Sequence, residues 1–209
     1  MINPEEIEIV VAGAEHVKYV DEVLDTIIRA AKVRGTGIAK RSPEYVKQKM
    51  IEGKAVLALY HGEFAGFSYI ECWSNKRFVA NSGLIVNPDF RNLGLAKRIK
   101  RRIFDLSREK FPEAKIFSLT TGEAVMKINS ELGFRPATFP MLTDDEAFWR
   151  GCGALFRTPR NALRQRRTNH LGACNRAFQH RPCQHPGQPG FPYRCHEPEV
   201  FWRRTGCWR

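Results

Sequence analysis

The run Val86-Asn87-Pro88-Asp89-Phe90-Arg91-Asn92-Leu93-Gly94-Leu95-Ala96 holds the residue types best suited to chemistry. It follows an apolar stretch, Val79 to Val86, that reads as a strand, and it opens a basic amphipathic helix. The first N–H groups of a helix lack intrahelical acceptors, so they can bind an anion. Gly94 has no Cβ to hold a phosphate away from the backbone, and Ala96 is nearly as small. Arg91 adds a guanidinium fork that suits phosphate oxygens. The pattern describes a pyrophosphate cradle; the plainer alternative is a strand–turn–helix with a capping glycine. Lys97, Arg98, Lys100, Arg101 and Arg102 make the helix strongly basic. Arg98, Arg101 and Arg102 read as a solvated face.

The elements needed to position such a cradle can be read in order. Ile7 to Val11 is a strand, and apolar residues recur at helical spacing from Ala14 to Lys32. Ser42-Pro43-Glu44 is a helix start, with a capping hydroxyl, a proline in the first turn and an acid at the positive end. That helix runs to about Glu52 and stops at Gly53. Ala55 to Tyr60 and Phe64 to Trp73 form a hairpin about His61-Gly62-Glu63. The strand into the cradle follows, and then a helix from about Leu95 to Lys110. Lys115 to Thr120 is a strand, Glu123 to Leu132 a helix closed by Gly133, and Phe134 to Met141 a strand. A short helix begins near Thr143.

The run and this order of elements resemble the GNAT superfamily of acyl-CoA-dependent N-acetyltransferases. Its signature reads Val-x-Pro-x-x-Arg/Gln-x-x-Gly-x-Gly/Ala, which Val86, Pro88, Arg91, Gly94 and Ala96 match. The resemblance covers roughly residues 7–150. It implies an α+β fold, a mixed and mostly antiparallel sheet flanked by helices. No segment of 151–209 reads as the family's closing strand, so that strand is expected to be missing or replaced.

The resemblance also implies roles. Acyl-CoA, with acetyl-CoA foremost, is the expected co-substrate. Leu84 and Val86 would offer backbone groups to the pantetheine and thioester. Asn92, Leu93, Gly94, Leu95 and Ala96 would offer N–H groups to the pyrophosphate, with Arg91 and Lys97 beside it. Many members carry an Asn and a Tyr on the helix before Leu-Gly-Phe. This chain keeps Leu132-Gly133-Phe134, but has Gly122 at the Asn position and Asn129 at the Tyr position. The usual phenolic acid is absent. Asn129 can bond sulfur or pantetheine, and Ser130 or water could supply the proton. Amide formation also needs a base for the acceptor ammonium. Glu71, between Ile70 and Cys72, is the candidate, because a half-buried carboxylate has a raised pKa; an outward-facing strand Glu is the alternative. The loop between the first two helices often lines the acceptor site in this family. Here it carries Arg34, Lys40 and Arg41, which suit an acidic acceptor, and the body resembles small stand-alone N-acylglutamate synthases.

Composition divides the chain. Its net charge is +12, yet residues 1–150 balance to +3 (23 Lys and Arg against 20 Asp and Glu), whereas 151–209 reach +9 (11 Arg, no Lys, two Glu). Five of the six cysteines, four of the six histidines and half of the prolines lie in that tail. The division is residues 1–152 as the acetyltransferase domain and 153–209 as a tail, expected to be disordered and explicable as a frameshift product. The cysteine and histidine spacings fit no common zinc module, so no metal is expected. No apolar run reaches membrane-spanning length, and the N-terminus shows no secretory signal, so a cytoplasmic protein is expected. The expected partner is a small-molecule amine; a homodimer is left open. Two other functions stay open: a non-enzymatic acyl-CoA-binding domain, and a nucleic-acid-binding protein acting through its basic tail.

Overall fold

The structure, a computed structural model, describes residues 2–34, 41–120, 122–137, 145 and 199–203. Among these residues seven strands form one sheet in the order β1-β2-β3-β4-β5-β7-β6. They are β1 (Ile7–Val11), β2 (Ala55–Tyr60), β3 (Glu63–Trp73), β4 (Phe78–Val86), β5 (Lys115–Thr120), β6 (Arg135–Ala137) and β7 (Glu199–Arg203). Every neighbouring pair is antiparallel except β4 and β5. The sheet is therefore mixed and mostly antiparallel, as expected. Among the described residues no helix is long and apolar enough to cross a membrane.

Helices α1 (Val20–Arg34) and α2 (Pro43–Ile51) cover one face. The expected helix from Ala14 begins as a 3-10 turn, Ala14–Tyr19, and becomes α-helical at Val20. The α2 start is as read: Ser42 Oγ accepts the Tyr45 N–H at 3.2 Å, and Pro43 opens the first turn. Val23, Ile27, Val46 and Met50 from these helices pack on Leu57, Phe67, Tyr69 and Ile85. Strand alternation sends Val56, Ala58, Ile70, Val79 and Ile116 to the other face. There they meet Ile99 and Ile103 of α3 (Leu95–Lys110), with Leu132 and Phe134 beyond α4 (Glu123–Glu131). Burying each such side chain contributes about 2 kcal/mol.

Two expectations change. Arg98 is no solvated residue: its Nη1 and Nη2 donate to the Pro4 and Ile7 carbonyls at 2.6 and 2.7 Å, tacking the N-terminal segment to α3. The closing strand, expected to be missing or replaced, is present as β7, drawn from the tail in which no such strand was expected. It pairs with β5 from Ile116↔Arg203 to Thr120↔Glu199, and with β6 from Arg135↔Trp202 to Ala137↔Val200. Glu199-Val200-Phe201-Trp202-Arg203 is short and rich in strand-forming types, but the Pro-, Arg- and Cys-rich sequence around it hides the signal. The rest of the tail, and with it the expectations of disorder and a shifted frame, lies outside the described residues. So does the short helix near Thr143, apart from Asp145, whose carboxylate accepts the Ser74 N–H at 2.8 Å.

Candidate active site

The site begins where β4 and β5 part. Their parallel register runs Phe78↔Lys115, Val79↔Ile116 and Ala80↔Phe117, and stops there. β4 continues to Val86 and β5 to Thr120 without pairing to each other, leaving a gap in the sheet. A bulge bends β4 beyond that point. Phe67 pairs with Ile85 and Tyr69 with Ser82, so β4 carries one extra residue. Gly83 sits in it at φ 64°, and a Cβ there would run into the Tyr69 ring. A glycine inside a strand pattern is the sequence signal for this bulge. After the bulge, the Asn87 N–H donates back to Ala65 at 2.9 Å. Backbone alternation therefore turns the peptide groups of Val86 away from β3, toward the gap. Leu84 and Val86 both lie in the stretch of β4 that does not pair with β5, half-buried.

The cradle is built as a turn with two left-handed residues, Asn92 at φ 64° and Gly94 at φ 69°. Gly94 caps α3, has open space where its Cβ would be, and its carbonyl accepts the Lys97 and Arg98 N–H groups at 3.1 and 3.3 Å. The N–H groups of Asn92, Leu93, Gly94, Leu95 and Ala96 find no acceptor among the described residues. Five consecutive free donors at a helix start fit a diphosphate. Arg91 is exposed beside them. Leu93 and Leu95 anchor the turn in the α3-side core. Lys97 is engaged elsewhere, its Nζ lying 2.6 Å from Glu131 Oε2 on α4.

Glu71 lies on β3 opposite Ala80, level with the last β4–β5 pair, on the α1–α2 side. It is not the outward-facing alternative, for its side chain is only 16% exposed and lies 2.9 Å from Lys49 Nζ of α2. Burial pushes its carboxyl up to about 7, against the opposing charge of Arg41. The Lys49 charge favours the carboxylate, but Oε1 receives no aligned hydrogen bond, so desolvation prevails. Burial also lowers the Lys49 ammonium. Arg41 stands close by: its Nε donates to the Tyr69 hydroxyl at 2.7 Å, and its guanidinium lies over the Tyr45 and Tyr69 rings. Of the other expected acceptor residues, Arg34 ends α1 and Lys40 lies outside the described residues. Neither Lys49 nor Tyr69 was singled out from the sequence, because only the fold brings α2 over β3.

Asn129 lies on the opposite side of the sheet, in α4. It is fully buried, and neither its Oδ1 nor its Nδ2 has a partner. Near the same opening, Asn81 of β4 donates from Nδ2 to Ser107 Oγ at 2.7 Å and leaves its buried Oδ1 unpartnered. Lys100 is 1% exposed, and its Nζ donates to Ser118 Oγ of β5 at 3.0 Å. Burial brings its ammonium down to about 7. Lys100 follows Ala96 and precedes Phe104 by one helical turn each, so its inward register was legible; its charge disguised it.

No protein-family model and no curated protein matches the chain. Solved structures do. The chain is similar to N-acetylglutamate synthase from Neisseria gonorrhoeae, complexed with coenzyme A and N-acetyl-glutamate, at a TM-score of 0.57 and 15% identity. That match covers 96% of this chain and 35% of the synthase, so the chain spans about a third of that protein's length. It is similar to an acetyltransferase of the GNAT family from Staphylococcus aureus Mu50, at a TM-score of 0.55 and 18% identity over 66% of this chain and 90% of that one. A PaiA N-acetyltransferase from Thermoplasma acidophilum, in complex with coenzyme A, matches at 0.50 and 13% identity, over 63% and 91%. The chain has the fold of the GNAT superfamily.

Proposed function

We propose that this protein is an acyl-CoA-dependent N-acetyltransferase acting on the primary amine of a small molecule. One observation carries the reading: the β4–β5 gap leads directly into a turn with five consecutive unpaired N–H groups. A nucleotide diphosphate with a long, peptide-like arm has the shape of that combined feature. The diphosphate would lie against Asn92 to Ala96 with Arg91 beside it, and the arm along Leu84 and Val86. Holding two substrates at one gap supplies much of the rate. Glu71, on the α2 side of the opening, would take the proton from the acceptor ammonium. Its raised pKa makes it a workable base near neutrality. Asn129 would bond the arm or the sulfur from the other side.

Within that class we propose an acceptor that carries a carboxylate, glutamate among the first to try. The Arg41 guanidinium beside Tyr69 and Glu71 supports this, as does similarity in fold to a synthase crystallised with N-acetyl-glutamate. We assign the activity to residues 1–152 together with the strand 199–203, which completes the sheet. Titration with acetyl-CoA by calorimetry, followed by product detection over a panel of amines and amino acids, tests both levels. Saturable binding and acetylation of acidic amino acids are expected. Binding without any acetylated product would make this an acyl-CoA-binding domain, and no binding would remove the proposal.

A further inference from the structure

We propose that Lys100, acting through Ser118, delivers the proton that the departing thiolate needs. This rests on the acetyltransferase reading above and supplies the acid that Asn129, in place of a tyrosine, does not provide.

The argument starts from position. Ala80↔Phe117 is the last parallel pair, so Asn81 and Ser118 are the first residues of β4 and β5 beyond it. They stand on the two sides of the gap's closed end. Both side chains turn toward α3: Asn81 reaches Ser107, and Ser118 receives Lys100. Lys100 and Ser107 are two helical turns apart, on one stripe of the same helix. The point where the two strands part therefore holds, on its α3 side, amide, hydroxyl and ammonium groups, all 4% exposed or less.

Cost makes this arrangement informative. A buried ammonium without a counter-ion is far less favourable than an apolar residue of the same length. Among the described side chains no carboxylate compensates it. On α4, Glu123, Lys127 and Glu131 are exposed, and Glu131 holds Lys97. On β5, Lys115 is exposed over the Phe78 ring. β4 and β2 carry no charge, Glu8 of β1 and Glu63 of β3 are exposed, and Glu71 projects from the other face. Phe134 lies against the ammonium, 5.4 Å from ring centroid to Nζ. An ammonium kept in such a place needs a reason, and an anion arriving in the adjacent gap is one.

The hydrogen-bond direction fits a relay. Lys100 Nζ donates to Ser118 Oγ, so the Ser118 hydroxyl keeps its own proton for another acceptor, and none is present among the described residues. As the acceptor nitrogen bonds to the acyl carbon, the carbon–sulfur bond breaks and its electron pair goes to sulfur. The sulfur takes the proton of Ser118 Oγ, and Ser118 Oγ takes one from Lys100 Nζ. Lys100 is left as a neutral amine and recovers its proton from solvent. Glu71 releases to solvent the proton it took from the acceptor ammonium, and the nitrogen, once bonded to carbon, loses its second proton to solvent, so the amide and the thiol form with one proton released overall. Burial, which lowers the Lys100 ammonium to about 7, makes it ready to give up that proton.

The test compares the full-length wild type with Lys100→Met and Ser118→Ala. The thiol of bound coenzyme A is titrated by thiolate absorbance, and kcat with acetyl-CoA is measured across pH. In the wild type the bound thiol titrates below free coenzyme A, and kcat falls on the alkaline side as Lys100 loses its proton. In Lys100→Met the thiol returns to or above its free value, kcat drops by roughly 10²–10⁴-fold and the alkaline limb disappears. Ser118→Ala moves both readouts in the same direction. Lys100→Met should melt at or above the wild-type temperature below pH 7, which separates a lost proton from a lost fold. A wild type that neither binds coenzyme A nor transfers acetyl groups overturns the parent function. A wild type that does both, beside a Lys100→Met with unchanged thiol titration and alkaline limb, overturns the relay alone, whatever its kcat.

Discussion

The two faces of the sheet at the β4–β5 gap carry largely desolvated ionisable groups of opposite kind. On the α1–α2 face Glu71 is paired to Lys49 and lies near Arg41; on the α3–α4 face Lys100 has, among the described residues, only a hydroxyl and a ring. Desolvation favours the neutral form of each group, so it raises the carboxylate and lowers the ammonium, and both arrive near 7. A single physical cause thus brings a carboxyl and an ammonium toward the same pH range from opposite directions. The sheet keeps them apart, so neither neutralises the other. The difference lies in their surroundings. The Glu71 side is rich in cations and aromatic rings and suits recognition of an acceptor. The Lys100 side is sparse and suits one proton transfer.

The largest effect expected on this contrast is Glu71→Gln. It should cut kcat by roughly 10²–10⁴-fold and leave acetyl-CoA binding intact. The base must be deprotonated to act, so wild-type kcat should rise with pH through about 7. A pH–rate profile of Glu71→Gln that keeps this acidic limb would assign the base elsewhere.

Next is Gly83→Ala. A side chain at φ 64° facing the Tyr69 ring should lower stability by about 1–3 kcal/mol, read by denaturant melts, and weaken coenzyme A binding because the bulge shapes the gap. Unchanged stability would mean that the bulge relaxes without cost. Arg91→Ala should raise the Kd for coenzyme A about tenfold, the scale of one charged hydrogen bond, with kcat at saturation preserved. A fall in kcat at constant Kd would place Arg91 in the chemistry instead of the cradle.

The smallest effect separates the faces by the sign of their linkage to pH. The Glu71 carboxyl is raised from 4.5 to about 7, so the folded state holds the extra proton and stability falls as pH rises through that window. The Lys100 ammonium is lowered from 10.5 to about 7, so the folded state holds fewer protons and stability rises between 7 and 10.5. Melting curves across pH should therefore show Glu71→Gln gaining on the wild type between pH 4.5 and 7. The advantage of Lys100→Met should shrink between 7 and 10.5.

The cradle was the most legible part of the molecule. Val86, Pro88, Arg91, Gly94 and Ala96 interact through neighbouring backbone, so their spacing in sequence is nearly their spacing in space. The helix start at Ser42-Pro43 and the hairpin about Gly62 were legible for the same reason. Arg98 was misread because its acceptors, the Pro4 and Ile7 carbonyls, are some ninety positions away. β7 was missed because five residues in a tail of different composition reveal a strand only when the slot between β5 and β6 is seen.

What the sequence determined by itself was therefore the local part: strand, turn and helix around residues 91–96, and the order of elements that delivers it. Local propensity and backbone geometry act over a few residues, and those residues are contiguous. Only the tertiary structure decided that β4 and β5 separate after Ala80, that β7 fills the sheet, and that Glu71 and Lys100 face the opening from opposite sides. Their protonation follows from burial, and burial is a property of everything packed around a residue, not of its neighbours in the chain.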